Sequence, residues 1–128
     1  MKLLFDTHLL LWTVSASRKL PPAARELLEN TENELWFSVV NVWEVAIKVA
    51  LGRDSEMVPP SLFRGTLLQS KYQELPILST HALATELLPQ LHSDPFDRML
   101  LAQASVEGML LVTSDARLSR YPGPVRLV

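Results

Sequence analysis

Apolar residues in this chain form two kinds of segment, one typical of buried strands and one typical of helices. Short apolar runs bounded by polar or turn residues predict strands over 2–5, 35–39, 74–78, 109–113 and 125–128. Between them, apolar residues recur at the three- and four-residue spacing of a helix face. This spacing predicts helices over 9–14, 21–30, 41–51, 61–71, 79–88 and 94–108, and a short helical segment that ends near residue 120.

The order of these elements predicts the fold class. Strands that alternate with helices are typical of an α/β fold with a parallel sheet, and strands that are apolar at every position suit burial on both faces. Pro76 confines its strand to a sheet edge or a strand end. The helix over 41–51 is apolar on almost every side, so we expect it to be buried. The 128 residues suit one domain with its own core, and we predict a single domain over 1–128.

The segment that starts at Asp94 places a carboxylate on an apolar helix face. Asp94 fits the N-cap position, and Pro95 then occupies the first helical position, where its missing N–H costs nothing. Capping alone accounts for Asp94. Asp97 has apolar residues three, four and seven positions later, so its carboxylate should point toward the interior and needs a partner there. The alternative is that Asp97 only favours the helix dipole.

Three further acids occupy comparable positions in other segments. Asp6 and Asp115 each follow an apolar strand, and Glu44 lies in the first turn of a predicted helix. In parallel sheets ligands gather at the carboxyl ends of the strands, so these positions are candidates for function. Each has a structural alternative. Asp6 and Asp115 could be helix caps, whereas Glu44 could be the capping-box partner of Asn41 or pair with Lys48.

Composition and charge indicate which partner the four carboxylates would take. The sequence offers no obvious set of cations to pair with them, and it contains no cysteine for a thiolate metal site. If the acids converge, their repulsion raises the pKa of one or more of them unless a cation binds. Carboxylate oxygens suit Mg²⁺ or Mn²⁺, and such ions support phosphodiester cleavage. The formal net charge of −2 does not exclude a nucleic-acid substrate.

Neither a membrane span nor a secretory signal is expected. No segment reaches the roughly 18 apolar residues that a membrane-spanning helix needs. The apolar run after Met1 resembles a signal peptide, but Asp6 and His8 interrupt it, which signal sequences avoid. The absence of cysteine fits a reducing compartment, and we therefore expect a cytoplasmic protein.

Several polar neighbours of the acids remain open as helpers. A hydroxyl that supports the acids could come from Thr113 or Ser114, and the sequence does not choose between them. His8 lies near the first acid, but packing or solvation is the simpler role for it. Arg98 could contact a phosphate, although a surface salt bridge is the simpler prediction. His92 reads as a loop residue.

Four motifs, in this order and at this spacing, resemble a known family over essentially the whole length. They are Leu4-Phe5-Asp6-Thr7-His8 with Leu11-Trp12; Ser38 through Trp43-Glu44 with Ala46-Ile47-Lys48 and Gly52; His92 and Asp94-Pro95-Phe96-Asp97-Arg98 with Ala102-Gln103-Ala104; and Leu111-Val112-Thr113-Ser114-Asp115. The chain resembles the PIN-domain nucleases, and within them the VapC-type toxins of bacterial toxin–antitoxin pairs.

The resemblance implies both a fold and an activity. It implies a three-layer α/β/α domain with a five-stranded, mostly parallel sheet, and an endoribonuclease that depends on Mg²⁺ or Mn²⁺. The family's catalytic and metal-binding acids fall here on Asp6, Glu44, Asp97 and Asp115. The resemblance also implies a small antitoxin partner of the VapB type, and a homodimer. The RNA target, the antitoxin's binding surface and the number of metal ions are not determined by the sequence.

Two other function classes remain as alternatives. A non-catalytic binding module with a nuclease fold would be indicated by a lost acid, and none is lost. A receiver-like phosphotransfer domain needs an acidic pair after the first strand and a lysine after a late strand, whereas this sequence has Asp6 alone and Thr113-Ser114-Asp115 at those places.

Overall fold

The structure, a computed structural model, describes residues 1–52 and 54–128, and the described part contains five strands and six α-helices. In chain order these are β1 (Lys2–Phe5), α1 (Thr7–Val14), α2 (Pro22–Glu29), β2 (Glu34–Ser38), α3 (Val39–Leu51), α4 (Pro60–Gln69), β3 (Gln73–Leu75), α5 (Ser79–Ala84), α6 (Pro95–Glu107), β4 (Leu110–Thr113) and β5 (Val125–Leu127). Two short 3₁₀ helices, Thr85–Leu87 and Leu118–Arg120, follow α5 and β4.

The five strands form one sheet in the order β3-β2-β1-β4-β5, and every neighbouring pair is parallel. The α/β prediction is therefore confirmed. In the register, Leu4 of β1 lies beside Trp36 on one side and Leu111 on the other. β3 lies at an edge of the sheet and ends just before Pro76, which has no N–H to continue the ladder. The central strands β1 and β4 thus end side by side.

Helices cover both faces of the sheet, which gives the predicted three layers. Successive side chains of a strand point to opposite faces, so Leu3 and Phe5 of β1 join one buried cluster while Leu4 joins a second. The first cluster contains buried residues of α1, α2 and α4, and the second contains Leu100 and Leu101 of α6. The core therefore lies on both sides of one parallel sheet.

Helix α6 begins and ends as its sequence predicts. An Asp94 carboxylate oxygen accepts hydrogen bonds from the backbone N–H groups of Phe96 and Asp97, at 2.8 and 3.1 Å. Pro95 is the first helical residue, and Gly108 ends the helix with φ +67°. This left-handed backbone favours glycine, because a Cβ there crowds the chain. The cap fixes where the side chain of Asp97 emerges from the first turn.

Helix α3 differs from its prediction in two ways. It begins at Val39 rather than at Asn41, with Ser38 as its N-cap. The side chain of Asn41 accepts from the Ser38 N–H at 2.7 Å, so the predicted capping box between Asn41 and Glu44 is wrong. The helix is also less buried than its apolar composition suggests, because Trp43 is 56% exposed and Leu51 is 57% exposed. Its polar residues Asn41 and Glu44 are buried instead.

The remaining boundaries differ by a few residues. The helix predicted over 79–88 is divided into α5 and the 3₁₀ helix after it. The backbone N–H of Leu78 donates to Nδ1 of His81 at 3.0 Å, and this contact closes the start of α5. Within the described ranges, no helix has the length and apolarity needed to cross a membrane.

Candidate active site

The four predicted acids line a single cavity at the carboxyl edge of the sheet. Asp6 follows β1, Asp115 follows β4, and Glu44 and Asp97 lie in the first turns of α3 and α6. All four line the same cavity of about 290 Å³. Parallel strands place their carboxyl ends at one edge, and the helices that start there direct their first turns toward it. Four segments that are distant in sequence therefore contribute to one site.

Asp6 lines the cavity and is almost fully buried. One of its oxygens accepts the Leu9 N–H at 3.0 Å, so Asp6 is also the predicted cap of α1. Its other oxygen accepts a short hydrogen bond from the hydroxyl of Thr113. Burial raises the pKa of Asp6, and these hydrogen bonds only partly oppose it. The cap and the site thus use different oxygens of the same carboxylate.

Glu44 is held by a chain of buried polar groups. The hydroxyl of Thr7 donates to Glu44 Oε1 at 2.6 Å, and the side-chain amide of Asn41 donates to the Thr7 hydroxyl at 3.0 Å. Lys48, one turn further along α3, donates to Glu44 Oε2 at 2.6 Å. The predicted ion pair is therefore present. Burial by itself would lower the pKa of Lys48, but the hydrogen bond and charge of Glu44 outweigh it and raise that pKa. Both oxygens of Glu44 are fixed before any ligand arrives.

Asp97, like Asp6, has a raised pKa. Burial, followed by the nearby carboxylates of Asp94, Glu44 and Asp6, raises its pKa from 3.8 to about 6. Nε2 of His92 lies 2.8 Å from Asp97 Oδ2 and partly offsets this rise. The expected mutual repulsion of the acids thus contributes, but burial is the larger cause.

Asp115 is the most exposed of the four and is paired with a neighbour. Arg117 Nη2 donates to Asp115 Oδ2 at 2.8 Å, and Nε lies 3.1 and 3.2 Å from the two oxygens. The backbone N–H of Arg117 also donates to Oδ1 at 2.9 Å. Contact with Arg117 lowers the pKa of Asp115. The predicted capping role is thus partly correct, since Asp115 closes a turn before the 3₁₀ helix.

The expectation that the acids lack cationic partners is wrong for three of them. Glu44 contacts Lys48, Asp115 contacts Arg117, and Asp97 contacts His92. Among the described side chains, no lysine, arginine or histidine lies within salt-bridge distance of Asp6. The sequence did not reveal these contacts as a set, because each depends on how a side chain turns in the folded cavity.

The structure resolves the roles that the sequence left open. The hydroxyl of Thr113 bonds Asp6 and accepts the Asp115 N–H at 3.0 Å, so Thr113 rather than Ser114 joins two of the acids. Ser114 lines the cavity, as do His8 and Asp94. His8 lies 3.7 Å from the carboxylate of Asp54, which indicates a partly solvated pair at the rim.

The surface salt bridge predicted for Arg98 is wrong. Its guanidinium donates to the carbonyl of Pro89 at 2.8 Å and to the hydroxyl of Tyr121 at 3.1 Å, and no carboxylate of the described residues pairs with it. Tyr121 in turn donates to the carbonyl of His92 at 3.2 Å. Arg98 therefore holds the loop that carries His92 against α6.

Several residues of the site were missed by sequence reasoning. Arg117 lies only two residues from Asp115, so a search for local ion pairs would have found it, as it found Lys48 beside Glu44. His92 lies five residues before Asp97, outside any regular helix spacing. Thr7 is 37 residues from Glu44, and no local pattern indicates that contact.

The cavity offers the oxygen-rich ligand set that hard divalent cations prefer. Four carboxylates from separate segments line it. The pKa values of Asp6 and Asp97 are raised, and a bound cation would lower them because it favours the charged form. Within the part of the chain that the structure describes, one group of three potential ligand atoms lies within 4.8 Å of one another, from His92, Asp94 and Asp97. Asp6, Glu44 and Asp115 are not in that group. Their oxygens are engaged by Thr113, Thr7, Lys48 and Arg117.

Comparison with known proteins supplies an independent line of evidence. A family model described as the PIN domain matches residues 3–124. Ribonuclease VapC22 of Mycobacterium tuberculosis is 29% identical over an alignment of 124 residues, with 95% of this chain and 95% of that protein covered.

Solved structures are similar in fold at low sequence identity. A chain of VapBC2 from Rickettsia felis, bound to a DNA fragment from its promoter, has a TM-score of 0.71 at 15% identity, with 100% of this chain and 99% of that chain covered. A chain of DNA-bound VapBC from Salmonella typhimurium has a TM-score of 0.67 at 19% identity, with 98% and 97% covered. At these identities the likeness concerns the fold.

Proposed function

The chain belongs to the PIN domain family, and from this premise we propose that it is a divalent-metal-dependent endoribonuclease. The observation that carries the proposal is the convergence of Asp6, Glu44, Asp97 and Asp115 on one cavity. These are the positions at which the sequence motifs place the family's acids. A merely structural use of four acids would not require them to share one cavity at the carboxyl edge of a parallel sheet. Mg²⁺ or Mn²⁺ is the proposed cofactor.

Asp6, Glu44, Asp97 and Asp115 would hold one or two ions. When bound, Mg²⁺ or Mn²⁺ supplies a Lewis acid that activates water and offsets the charge that develops at the phosphate. Thr113 keeps Asp6 in place, and Thr7 keeps Glu44 in place, so the two carboxylates are oriented before the ion arrives. His92 does the same for Asp97. The protein thus contributes positioned oxygens and a sheltered cavity.

The proposed reaction is hydrolysis of an RNA phosphodiester. The oxygen of a water molecule forms a new bond to phosphorus, and the bond from phosphorus to the 3′ oxygen breaks. The proton lost by the water is balanced by the proton that the 3′ oxygen gains. The products are a 5′-phosphate on one fragment and a 3′-hydroxyl on the other.

The proposed partners follow from the relatives. The relative named Ribonuclease VapC22 supports RNA as the substrate class, and the VapBC titles of the structural neighbours support a VapB-type antitoxin that binds this chain. We place the protein as the toxin of such a pair, in the cytoplasm and as a homodimer. Purification with a co-expressed VapB-type protein, followed by light scattering, tests the complex and the dimer.

Cleavage of a mixed RNA pool by the purified chain tests the proposed reaction. The design compares Mn²⁺ with excess EDTA, and compares the wild type with Asp97→Asn, which keeps the shape of the side chain and removes its charge. Glu26→Gln is the matched control, because Glu26 is exposed on α2 away from the cavity. Cleavage should need Mn²⁺, be lost in Asp97→Asn and persist in Glu26→Gln.

Other results would lead to other conclusions. Cleavage by Asp97→Asn at the wild-type rate would refute the assignment of the site. No cleavage of any RNA, together with no change in melting temperature on adding Mn²⁺, would favour a non-catalytic binding module. End groups on the fragments other than a 5′-phosphate and a 3′-hydroxyl would refute the proposed bond cleavage.

A further inference from the structure

The side chain of Arg117 both pairs with Asp115 and lines the cavity. Its guanidinium contacts both oxygens of Asp115, and its backbone N–H takes a third hydrogen bond to the same carboxylate. The side chain is nevertheless 63% exposed and lines the cavity that holds the other acids. The backbone contact alone would close the turn, so the side-chain contact is not needed for the local fold.

A divalent ion at this site would compete with Arg117 for Asp115. The ion needs a lone pair of an Asp115 oxygen, and in the structure Arg117 occupies both oxygens. Two cations on one carboxylate also repel each other. Lys48 is less easily displaced from Glu44, because it is only 30% exposed and contacts one oxygen from its own helix. Arg117 is therefore the cation that ion binding would release.

A released Arg117 would remain beside the cavity, tethered two residues from Asp115. The planar fork that fits a carboxylate with two hydrogen bonds also fits a phosphate. In the proposed reaction, phosphates of the RNA strand enter a cavity lined by carboxylates, which by themselves repel them. An exposed guanidinium at the rim is the group that can offset this repulsion.

We propose that Arg117 is a displaceable counter-ion, which holds Asp115 in the metal-free site and turns to an RNA phosphate when a metal ion takes its place. The second part of this inference, the contact with an RNA phosphate, rests on the proposed function. The first part, the competition between Arg117 and a metal ion for Asp115, rests on the contacts of Arg117 with Asp115. The two halves make predictions of opposite sign for one substitution, Arg117→Gln.

Metal binding tests the first half without any RNA. Isothermal titration with Mn²⁺ should show about threefold to tenfold tighter binding to Arg117→Gln than to the wild type, because the competing cation is gone. Arg120→Gln is the matched control, since Arg120 is exposed three residues later and has no carboxylate contact among the described residues. It should bind Mn²⁺ as the wild type does. Unchanged or weaker Mn²⁺ binding by Arg117→Gln would overturn the counter-ion role.

A double-mutant cycle in EDTA tests the second half without metal or cleavage. Asp115→Asn removes the charge that holds Arg117 and should mimic its release. Fluorescence anisotropy with a labelled single-stranded oligoribonucleotide then gives the affinity of each variant. Arg117→Gln should weaken RNA binding by less than about twofold in the wild-type background, and by about tenfold in the Asp115→Asn background. In that second background it should also reduce the slope of log affinity against log salt by about 0.7.

Each result of the cycle is decisive. Equal effects of Arg117→Gln in the two backgrounds would overturn the phosphate role, because Asp115 would then not restrain Arg117. An equal effect of Arg120→Gln would overturn it too, since any nearby cation would suffice. If no variant binds RNA, the proposed function fails together with the phosphate role, while the Mn²⁺ titration still decides whether Arg117 is a displaceable counter-ion.

Discussion

Replacing Asp97 by asparagine should stabilise the metal-free protein at neutral and alkaline pH. The carboxylate is largely but not fully buried and lies near Asp94, Glu44 and Asp6; its removal from water, followed by these neighbouring charges, raises its pKa to about 6. The folded protein therefore disfavours the charged form of Asp97. Asparagine has nearly the same shape and keeps an oxygen that can accept from His92, so the substitution removes the charge and little else.

The magnitude follows from the difference between the folded and unfolded states. A rise of the Asp97 pKa from 3.8 to about 6 corresponds to a penalty of up to about 3 kcal/mol on the charged form. Protonated Asp97 contributes to the free energy of unfolding; this contribution is fully present below pH 4 and is lost as pH rises through 6. Asp97→Asn should therefore gain up to about 3 kcal/mol at pH 8, and roughly half as much at pH 5.

Thermal unfolding in metal-free buffer at pH 5 and pH 8 measures this effect. For a domain of this size, about 3 kcal/mol corresponds to roughly 10 °C in melting temperature. Saturating Mn²⁺ should nearly cancel the difference at pH 8, because an ion at 100 times its Kd adds about 2.7 kcal/mol to the wild type and little to the variant. Glu26→Gln, on the exposed face of α2, should change the free energy of unfolding by no more than about 0.5 kcal/mol at either pH.

One result would refute this reasoning. If Asp97→Asn is less stable than the wild type at both pH values in metal-free buffer, then the charge of Asp97 is compensated within the folded protein. Repulsion among the carboxylates would then not favour the binding of a cation. A gain of equal size at pH 5 and pH 8 would show that the substitution acts through packing and not through charge.

Two further predictions concern residues that support the site and the core. Thr113→Val removes a buried hydroxyl that donates to Asp6 and accepts from Asp115, so urea unfolding should show a loss of about 1–3 kcal/mol, whereas Thr113→Ser should keep most of the stability. A loss of equal size in both variants would show that the methyl group matters and not the hydroxyl. Leu100→Ala should cost about 2–5 kcal/mol in the same assay, because Leu100 is fully buried, whereas Leu87→Ala should cost less than about 0.5 kcal/mol, because Leu87 is 85% exposed. Similar losses for the two leucines would contradict the packing of α6 against the sheet.

Where a local rule acts, the sequence was a sufficient guide. Asp94 and Pro95 start α6, and Gly108 ends it, because capping and the left-handed backbone involve only neighbouring residues. Strand β3 stops just before Pro76 for an equally local reason, because proline has no N–H to continue the ladder. The prediction failed for α3, because Ser38 and Asn41 together make a better cap than the Asn41–Glu44 spacing suggested.

The placement of the acids was also predictable, but apart from the Glu44–Lys48 pair their partners were not. Asp6 and Asp115 follow apolar strands, and parallel pairing of β1 with β4 brings those strand ends together. The contacts that hold the acids depend on how side chains turn within the cavity. Thr113 lies 107 residues from Asp6, and Thr7 lies 37 residues from Glu44.

The sequence by itself determined the alternation of strands and helices, the ends of α6, and four acids at the positions where a parallel sheet gathers its ligands. These features depend on backbone sterics, capping and hydrophobic period, which act within a few residues. The tertiary structure alone decided the strand order, the exposure of Trp43, the raised pKa of Asp97 and the engagement of Asp115 by Arg117. Burial and charge separation exist only once distant segments pack, and these physical quantities control the chemistry of the cavity.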